Sequence, residues 1–263
     1  MYDVGNRSAP KLIKKYYFEG RYFDGRKTED GFIYVLASQR IYKRPTPTPW
    51  FKLGNVETYL DLDQIYKYTG DYVRPTYMNI FAFNLKSAKK EQVNIISLII
   101  ERTHEFYMSE RNMYITFTKY LAGKAHTIIH KVFVWKLFLI PFADAIVPGY
   151  VNNQFSLDEY KGYLRIATTD TNPNSNNVFS LDFFLNVKGE LRGIAPGERI
   201  FSARYIGYRL YLVTFRVVDP FYVISFKDHK KPVILGELKI TGFSRYLHPY
   251  DDETIIGFGR QAT

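Results

Sequence analysis

The chain has 263 residues, 36 basic and 26 acidic, for a net charge of +10, a length that fits one large domain or two modest ones. With 46% hydrophobic and 24% charged residues it is not a disordered chain. With no cysteine it has no disulfide framework, Cys-zinc site or thiol nucleophile. The 17% aromatic content, 23 Tyr, 21 Phe and 2 Trp, leans towards strands.

In chain order, Met1–Val4 and Lys11–Phe18 read as strands joined by the turn Gly5–Pro10. A glycine followed fourteen residues later by an apolar strand residue then recurs: Gly20 to Tyr34, Gly149 to Tyr163, Gly197 to Tyr211 and Gly242 to Ile256. His104–Ser109 followed by Met113–Phe117 is a further copy without the glycine. The strand markers Tyr114, Tyr163, Tyr211 and Ile256 lie 45 to 49 residues apart, whereas Tyr34 to Tyr114 spans 80, a repeat carrying an insertion. Such periods mark propellers or solenoids.

Ile95–Glu101 is apolar but too short and too rich in isoleucine for a helix. Val132–Phe142 is apolar but interrupted by Lys136 and Pro141, so no transmembrane segment is expected, and Met1–Val4 does not read as a signal peptide. The clearest repeat has strands at 199–206, 210–215, 221–226 and 233–238, with turns at Gly207-Tyr208 and 227–231 and a break at Asp219-Pro220. Strands at Ser244–Tyr250 and Thr254–Phe258 end the pattern. The expectation is an all-β propeller, a single domain over 1–263 with an insertion at about 40–77. It has about five four-stranded antiparallel blades, four complete and one divided between N- and C-terminal half-blades. The halves either close a ring or leave an arc.

Candidate chemistry is sparse. His126 and His130 are four apart, which puts both on one strand face, but no carboxylate pattern completes a metal site. His248 reads as a hydrogen-bonding residue near a strand end. Asp61-Leu62-Asp63-Gln64 fails as a calcium loop after its second aspartate, and Asp251-Asp252-Glu253 reads as a solvated turn. There is no G-x-S-x-G elbow or phosphate-binding glycine loop. No catalytic residue, metal or cofactor is expected. The cations are scattered in pairs such as Lys14-Lys15 and Lys230-Lys231, so specific nucleic-acid binding is not expected either.

Val147–Tyr160, Gly193–Arg204, Tyr211–Phe215 with Val218-Asp219-Pro220, and Gly236–Ile240 with Tyr246–Asp251 carry a further signal. In these stretches the chain resembles a family of secreted, mostly archaeal proteins with a C-terminal β-propeller distantly related to WD repeats. The resemblance is strong over 147–260, fair over 1–120 and poor over 121–146, where 136–146 lacks the family's Asp-Gly turn. Tyr208, Val217 and Phe226-Lys227 also depart from the family's turn residues. The resemblance implies an extracellular or cell-surface location and supplies no catalytic residues.

On a WD-type blade, the insertion lies on the same face as the fourth-to-first loops carrying Gly20, Gly149, Gly197 and Gly242. Loops gathered on one face of a rigid scaffold commonly carry binding. The insertion's Tyr42, Arg44, Trp50, Phe51, Tyr72 and Arg74 are the candidate ligand-binding residues, because aromatics mixed with arginine suit protein or carbohydrate surfaces. The same segment also suits a lid packed on its own propeller, stiffened by Pro45, Pro47 and Pro49. The functional expectation is a non-enzymatic binding and scaffolding module contacting protein or polysaccharide, with self-association through unpaired half-blades. A polysaccharide hydrolase or lyase and an intracellular adaptor are the alternatives.

Overall fold

Strands buried on both faces read as nearly continuous apolar runs, and Thr76–Asn84 is such a run, with every residue but the last buried. The computed structural model describes residues 1–42, 47–68, 72–85, 93–101, 105–215, 219–240, 243–251 and 254–260, which contain strands and two short 3-10 turns. Its contacts divide the chain into two compact units. One comprises Met1–Thr103, Glu110–Asn112 and Val132–Pro141; the other comprises His104–Ser109, Met113–Lys131 and Phe142–Thr263.

The chain opens with a short hairpin, β1 (Tyr2–Asp3) and β2 (Lys11–Leu12). Next come β3 (Tyr16–Phe18), β4 (Arg21–Lys27) and β5 (Phe32–Arg40). The insertion contributes β6 (Trp50–Leu53), β7 (Val56–Tyr59) and β8 (Ile65–Lys67), and then β9 (Thr76–Asn84) and β10 (Val93–Ile100) follow. The first blade has the order β4-β5-β9-β10, extended by β8 running parallel to β10. Lys11–Phe18, expected as one strand, is therefore two: Lys11–Leu12 pairs within the N-terminal hairpin, and Tyr16–Phe18 pairs with Trp50–Leu53 of the insertion. The resulting three-stranded sheet β3-β6-β7 packs Phe18 and Phe51 against Phe81 and Ile95 of the first blade. The Phe18 and Phe81 rings stack with centroids 4.0 Å apart.

The other blades are meanders. The second is β11 (Glu105–Met108), β12 (Asn112–Leu121), β13 (Lys124–Trp135) and β14 (Phe138–Pro148). The third is β15 (Leu157–Tyr160), β16 (Tyr163–Asp170), β17 (Ser175–Leu181) and β18 (Val187–Ile194). The fourth is β19 (Arg199–Ile206), β20 (Arg209–Phe215), β21 (Asp219–Ser225) and β22 (Val233–Ile240). A two-stranded sheet, β23 (Phe243–Pro249) with β24 (Ile255–Arg260), comes last. The fold is all-β, built on four-stranded antiparallel sheets as expected of a propeller, and β1-β2 and β23-β24 are separate two-stranded sheets.

Each sheet in the second unit buries a face against the next. Tyr114 and Ile129 of the second blade share a cluster with Leu164, Ile166 and Phe179 of the third. Ala167 and Val178 of the third share one with Leu210, Leu212 and Ile224 of the fourth. Tyr211 and Val213 of the fourth pack on Leu247 of the terminal hairpin.

Two local expectations need correction. Asp219-Pro220 does not break the strand, because the β20–β21 ladder starts only at Phe221. Pro220 is thus opposite no β20 residue that needs its missing N–H, and pairs with Lys239 of β22. In the segment without an Asp-Gly turn, Lys136 takes the left-handed conformation itself, with φ 56°. Two tertiary bonds hold that turn: Tyr34 Oη donates to the Lys136 carbonyl (2.6 Å) and Asn94 Nδ2 to the Leu137 carbonyl (2.7 Å).

Candidate functional site

Within the second unit, the connection from β18 to β19 meets the second-to-third turn of the third blade, where Gly197 N donates to Asn174 O (2.7 Å). Ala125 N of β13 donates to Thr171 Oγ1 of the same turn (3.0 Å). Gly149 must be glycine here. Its φ is +85°, and a Cβ would lie 2.7 Å from both Thr168 Oγ1 and Thr169 O. From that turn the chain enters a bridge between Tyr150 and Thr169, closed by hydrogen bonds of 2.8 and 2.9 Å.

A buried polar relay fixes the next connection. Ile200 N donates to Thr169 Oγ1 (3.0 Å), which donates to Asn176 Oδ1 (2.8 Å). Asn176 Nδ2 donates in turn to Ile194 O (3.1 Å). Thr169 and Asn176 are both buried, so the relay satisfies groups that would be costly to leave unpaired.

These connections frame an open groove of about 380 Å³ lined by Tyr150, Asn152, Arg199, Ile200, Phe201 and Arg245. Two of its side chains come from β-bulges. The β19–β20 register shifts between Ile200 and Ser202, leaving Phe201 as the extra residue, and the β23–β24 register shifts between Ser244 and Tyr246, leaving Arg245. A bulge re-aims the side chain it carries. The Arg199 guanidinium lies 4.9 Å from the centroid of the Phe201 ring. Asn152 Nδ2 donates to Phe201 O (3.1 Å), leaving Oδ1 as an acceptor. Glu198, the acid beside Arg199 in sequence, is turned away to accept from Thr214 Oγ1 (2.5 Å). The groove is thus cationic and aromatic, suited to an anion with an apolar face.

Other ionisable clusters are absorbed in packing between blades. Lys131 is 1% exposed; its Nζ donates to Phe183 O (2.7 Å) and lies 3.7 Å from the Phe183 ring centroid. Burial holds its pKa below the ordinary lysine value, against the opposing charges of Glu159 and Asp182. Tyr114 Oη and Ser109 Oγ both donate to Glu159 Oε2, at 2.9 and 2.7 Å. Burial, reinforced by Glu159, drives the Tyr114 hydroxyl far above the usual tyrosine range. Arg165, also 1% exposed, pairs with Asp158 and donates to Gly207 O (2.8 Å). Its guanidinium lies 4.7 Å from the ring centroids of both Tyr160 and Tyr205. These groups are engaged by one another and serve blade-to-blade packing.

The candidates in the insertion are dispersed. Tyr42 is exposed, with Arg40 5.3 Å from its ring centroid; Arg44 lies outside the described residues. Trp50 and Phe51 are half-buried in β6, and Trp50 N donates to Glu19 Oε2 (3.1 Å). Tyr72 Oη donates to Tyr68 O (2.7 Å). Arg74 N donates to Glu101 Oε2 (3.2 Å). Asp61 caps a 3-10 turn, its backbone N–H donating to Gln64 Oε1 (3.0 Å). Of the histidines, His130 Nδ1 meets Asp144 Oδ1 at 2.8 Å, and His248 Nδ1 meets Tyr246 Oη at 3.1 Å on its own strand. Sequence reasoning missed Arg199, Phe201 and Arg245, because a bulge leaves no compositional mark. Both bulged residues do fall three or four positions after the repeated glycines Gly197 and Gly242.

The profile of the family described as Beta propeller domain matches residues 1–263. An uncharacterised Methanocaldococcus jannaschii protein is 29% identical over 98% of this chain and 54% of its own length. That alignment spans 341 positions, more than the 263 residues of this chain, so the relative carries additional residues within the matched region. An uncharacterised Archaeoglobus fulgidus protein is 37% identical over 73% of this chain and 32% of its own length. The chain thus spans about half or less of these relatives. The crystal structure of Kluyvelomyces marxianus Hsv2 superposes over 90% of this chain and 88% of its own, at 7% identity and a TM-score of 0.34.

Proposed function

We propose that this chain, which belongs to the beta propeller domain family, is a non-catalytic binding and scaffolding module of an exported or cell-surface protein. Its ligand is protein or polysaccharide, held on the face of the fourth-to-first connections. The observation that carries this reading is the Arg199–Phe201–Arg245 groove, set on bulged first strands of consecutive sheets. Aromatic and arginine side chains on a rigid scaffold supply contact area and directional charge at small ordering cost.

A non-catalytic role is supported by where the displaced pKa values fall. Lys131, Tyr114 and Tyr205 are shifted by burial between blades, away from the groove lining. An active site would place perturbed groups in its cleft. The location rests on the sequence resemblance. The insertion acts in this reading as support, since Phe51 packs on the core of the first blade and the Trp50 backbone is bonded to Glu19.

The test is capture from glycan arrays and surface extracts by the wild-type chain, an Arg199→Ala/Arg245→Ala variant and a Trp50→Ala/Tyr72→Ala variant. Capture lost only in the first variant supports the reading. Capture lost only in the second moves the site to the insertion. Polysaccharide turnover abolished by a single carboxylate-to-amide substitution would make the protein an enzyme.

A further inference from the structure

We infer that the groove selects an acidic sugar unit: a pyranose ring carrying a carboxylate or sulfate, within a polysaccharide. This inference rests on the binding role proposed above and names the ligand class for that site.

Charge comes first. Arg199 and Arg245 put two guanidinium groups on one groove, and the planar fork of a guanidinium matches a carboxylate or sulfate through paired hydrogen bonds. Among the described residues Arg199 forms no ion pair, and its one aromatic partner, Phe201, leaves the donors available. Glu198 accepts from Thr214 Oγ1 and forms no ion pair with Arg199 among the described residues.

Two further features point to a sugar rather than a bare anion. Tyr150 and Phe201 add aromatic surface beside the charges, suited to the apolar C–H face of a pyranose. Asn152 Oδ1, left open once the amide donates to Phe201 O, is an acceptor for a hydroxyl. At about 380 Å³ the groove falls in the lower part of the range for small-ligand sites. A single-stranded nucleic acid would need a basic track with successive stacking platforms, whereas this groove is lined by two cations and two aromatic rings.

The experiment is titration calorimetry of the full chain with a galacturonate oligomer, its methyl ester, dextran sulfate, a neutral glucan, inorganic phosphate and single-stranded oligo-dA. The acidic glycans are expected to bind and the ester and glucan to fail. Arg199→Ala and Arg245→Ala should each weaken binding about ten- to a hundredfold, as expected for losing a charged hydrogen bond, with unchanged melting temperatures. Comparing galacturonate with dextran sulfate separates carboxylate from sulfate as the recognised group. Oligo-dA bound more tightly than either acidic glycan, phosphate bound as tightly as the oligomer, or ester bound as tightly as acid would each overturn the inference. If no glycan binds while a captured protein still requires Arg199 and Arg245, the sugar assignment falls and the binding role stands.

Discussion

Gly189→Ala probes the stacking of one blade on the next. Gly189 lies in β18, the outer strand of the third blade, where the third-to-fourth turn of the fourth blade crosses it. A Cβ there would sit 2.2 Å from His229 O, 2.6 Å from Lys230 C and 2.7 Å from Lys230 O. These are backbone atoms, so no flexible side chain can swing aside, and the turn must move by about an ångström. Overpacking of this kind costs about 1–3 kcal/mol, which for a chain of this size lowers Tm by roughly 2–12 °C.

The matched control is Gly236→Ala in β22, the outer strand of the fourth blade, where a Cβ meets nothing within 4 Å. Among the described residues the sheet that follows is the two-stranded hairpin β23-β24. Alanine there is expected to be neutral or to stabilise by about 0.4–1 kcal/mol through the unfolded chain. Urea unfolding followed by tyrosine fluorescence and circular dichroism reads both variants. Equal behaviour of the two would refute the packing of the 227–231 turn on β18.

Arg165→Met leaves the Asp158 carboxylate and Gly207 carbonyl without their buried donor; a loss of about 3 kcal/mol is expected, and Asp158→Asn in the same chain should recover part of it in chemical denaturation. His229 stacks on Tyr163 at 4.2 Å, and burial, then the charges of Arg165 and Lys161, hold its pKa below the ordinary 6.5, against Asp228. Below pH 6.5 the unfolded chain therefore binds the proton more readily, so stability is full above 6.5 and falls as the pH drops towards the folded pKa; the urea midpoint of His229→Gln should vary less over that window. Thr169→Val removes the acceptor of Ile200 N and the donor to Asn176; a loss of about 1–3 kcal/mol is expected, with weaker ligand binding because Arg199 directly precedes the anchored Ile200.

Much of the repeat was legible because the inner strands of each blade are buried on both faces. The expected strands 199–206, 210–215, 221–226 and 233–238 correspond to Arg199–Ile206, Arg209–Phe215, Asp219–Ser225 and Val233–Ile240. The polar turn at 227–231 is closed by Lys231 N donating to Asp228 O (3.1 Å). Features that depend on distant partners were not legible. Glu19 ties β5 to the insertion, accepting from Gln39 Nε2 (2.7 Å) and Trp50 N (3.1 Å), bonds that reach across 20 and 31 residues. The division of Lys11–Phe18 between two sheets follows from β3 finding its partner in the insertion. The turn at Lys136 lacks local turn chemistry because Tyr34 and Asn94 supply its bonds. At the groove the sequence shows Gly149 and Gly197, which take positive φ in their connections, while the bulges that aim Phe201 and Arg245 arise only from strand register.

The most direct test of the groove is arginine-selective footprinting with phenylglyoxal, mapped by peptide mass spectrometry with and without the captured ligand. Ligand is predicted to shield Arg199 and Arg245 while Arg40 of β5 and Arg74 of the insertion stay reactive. Shielding of Arg40 and Arg74 with Arg199 and Arg245 unchanged would contradict it.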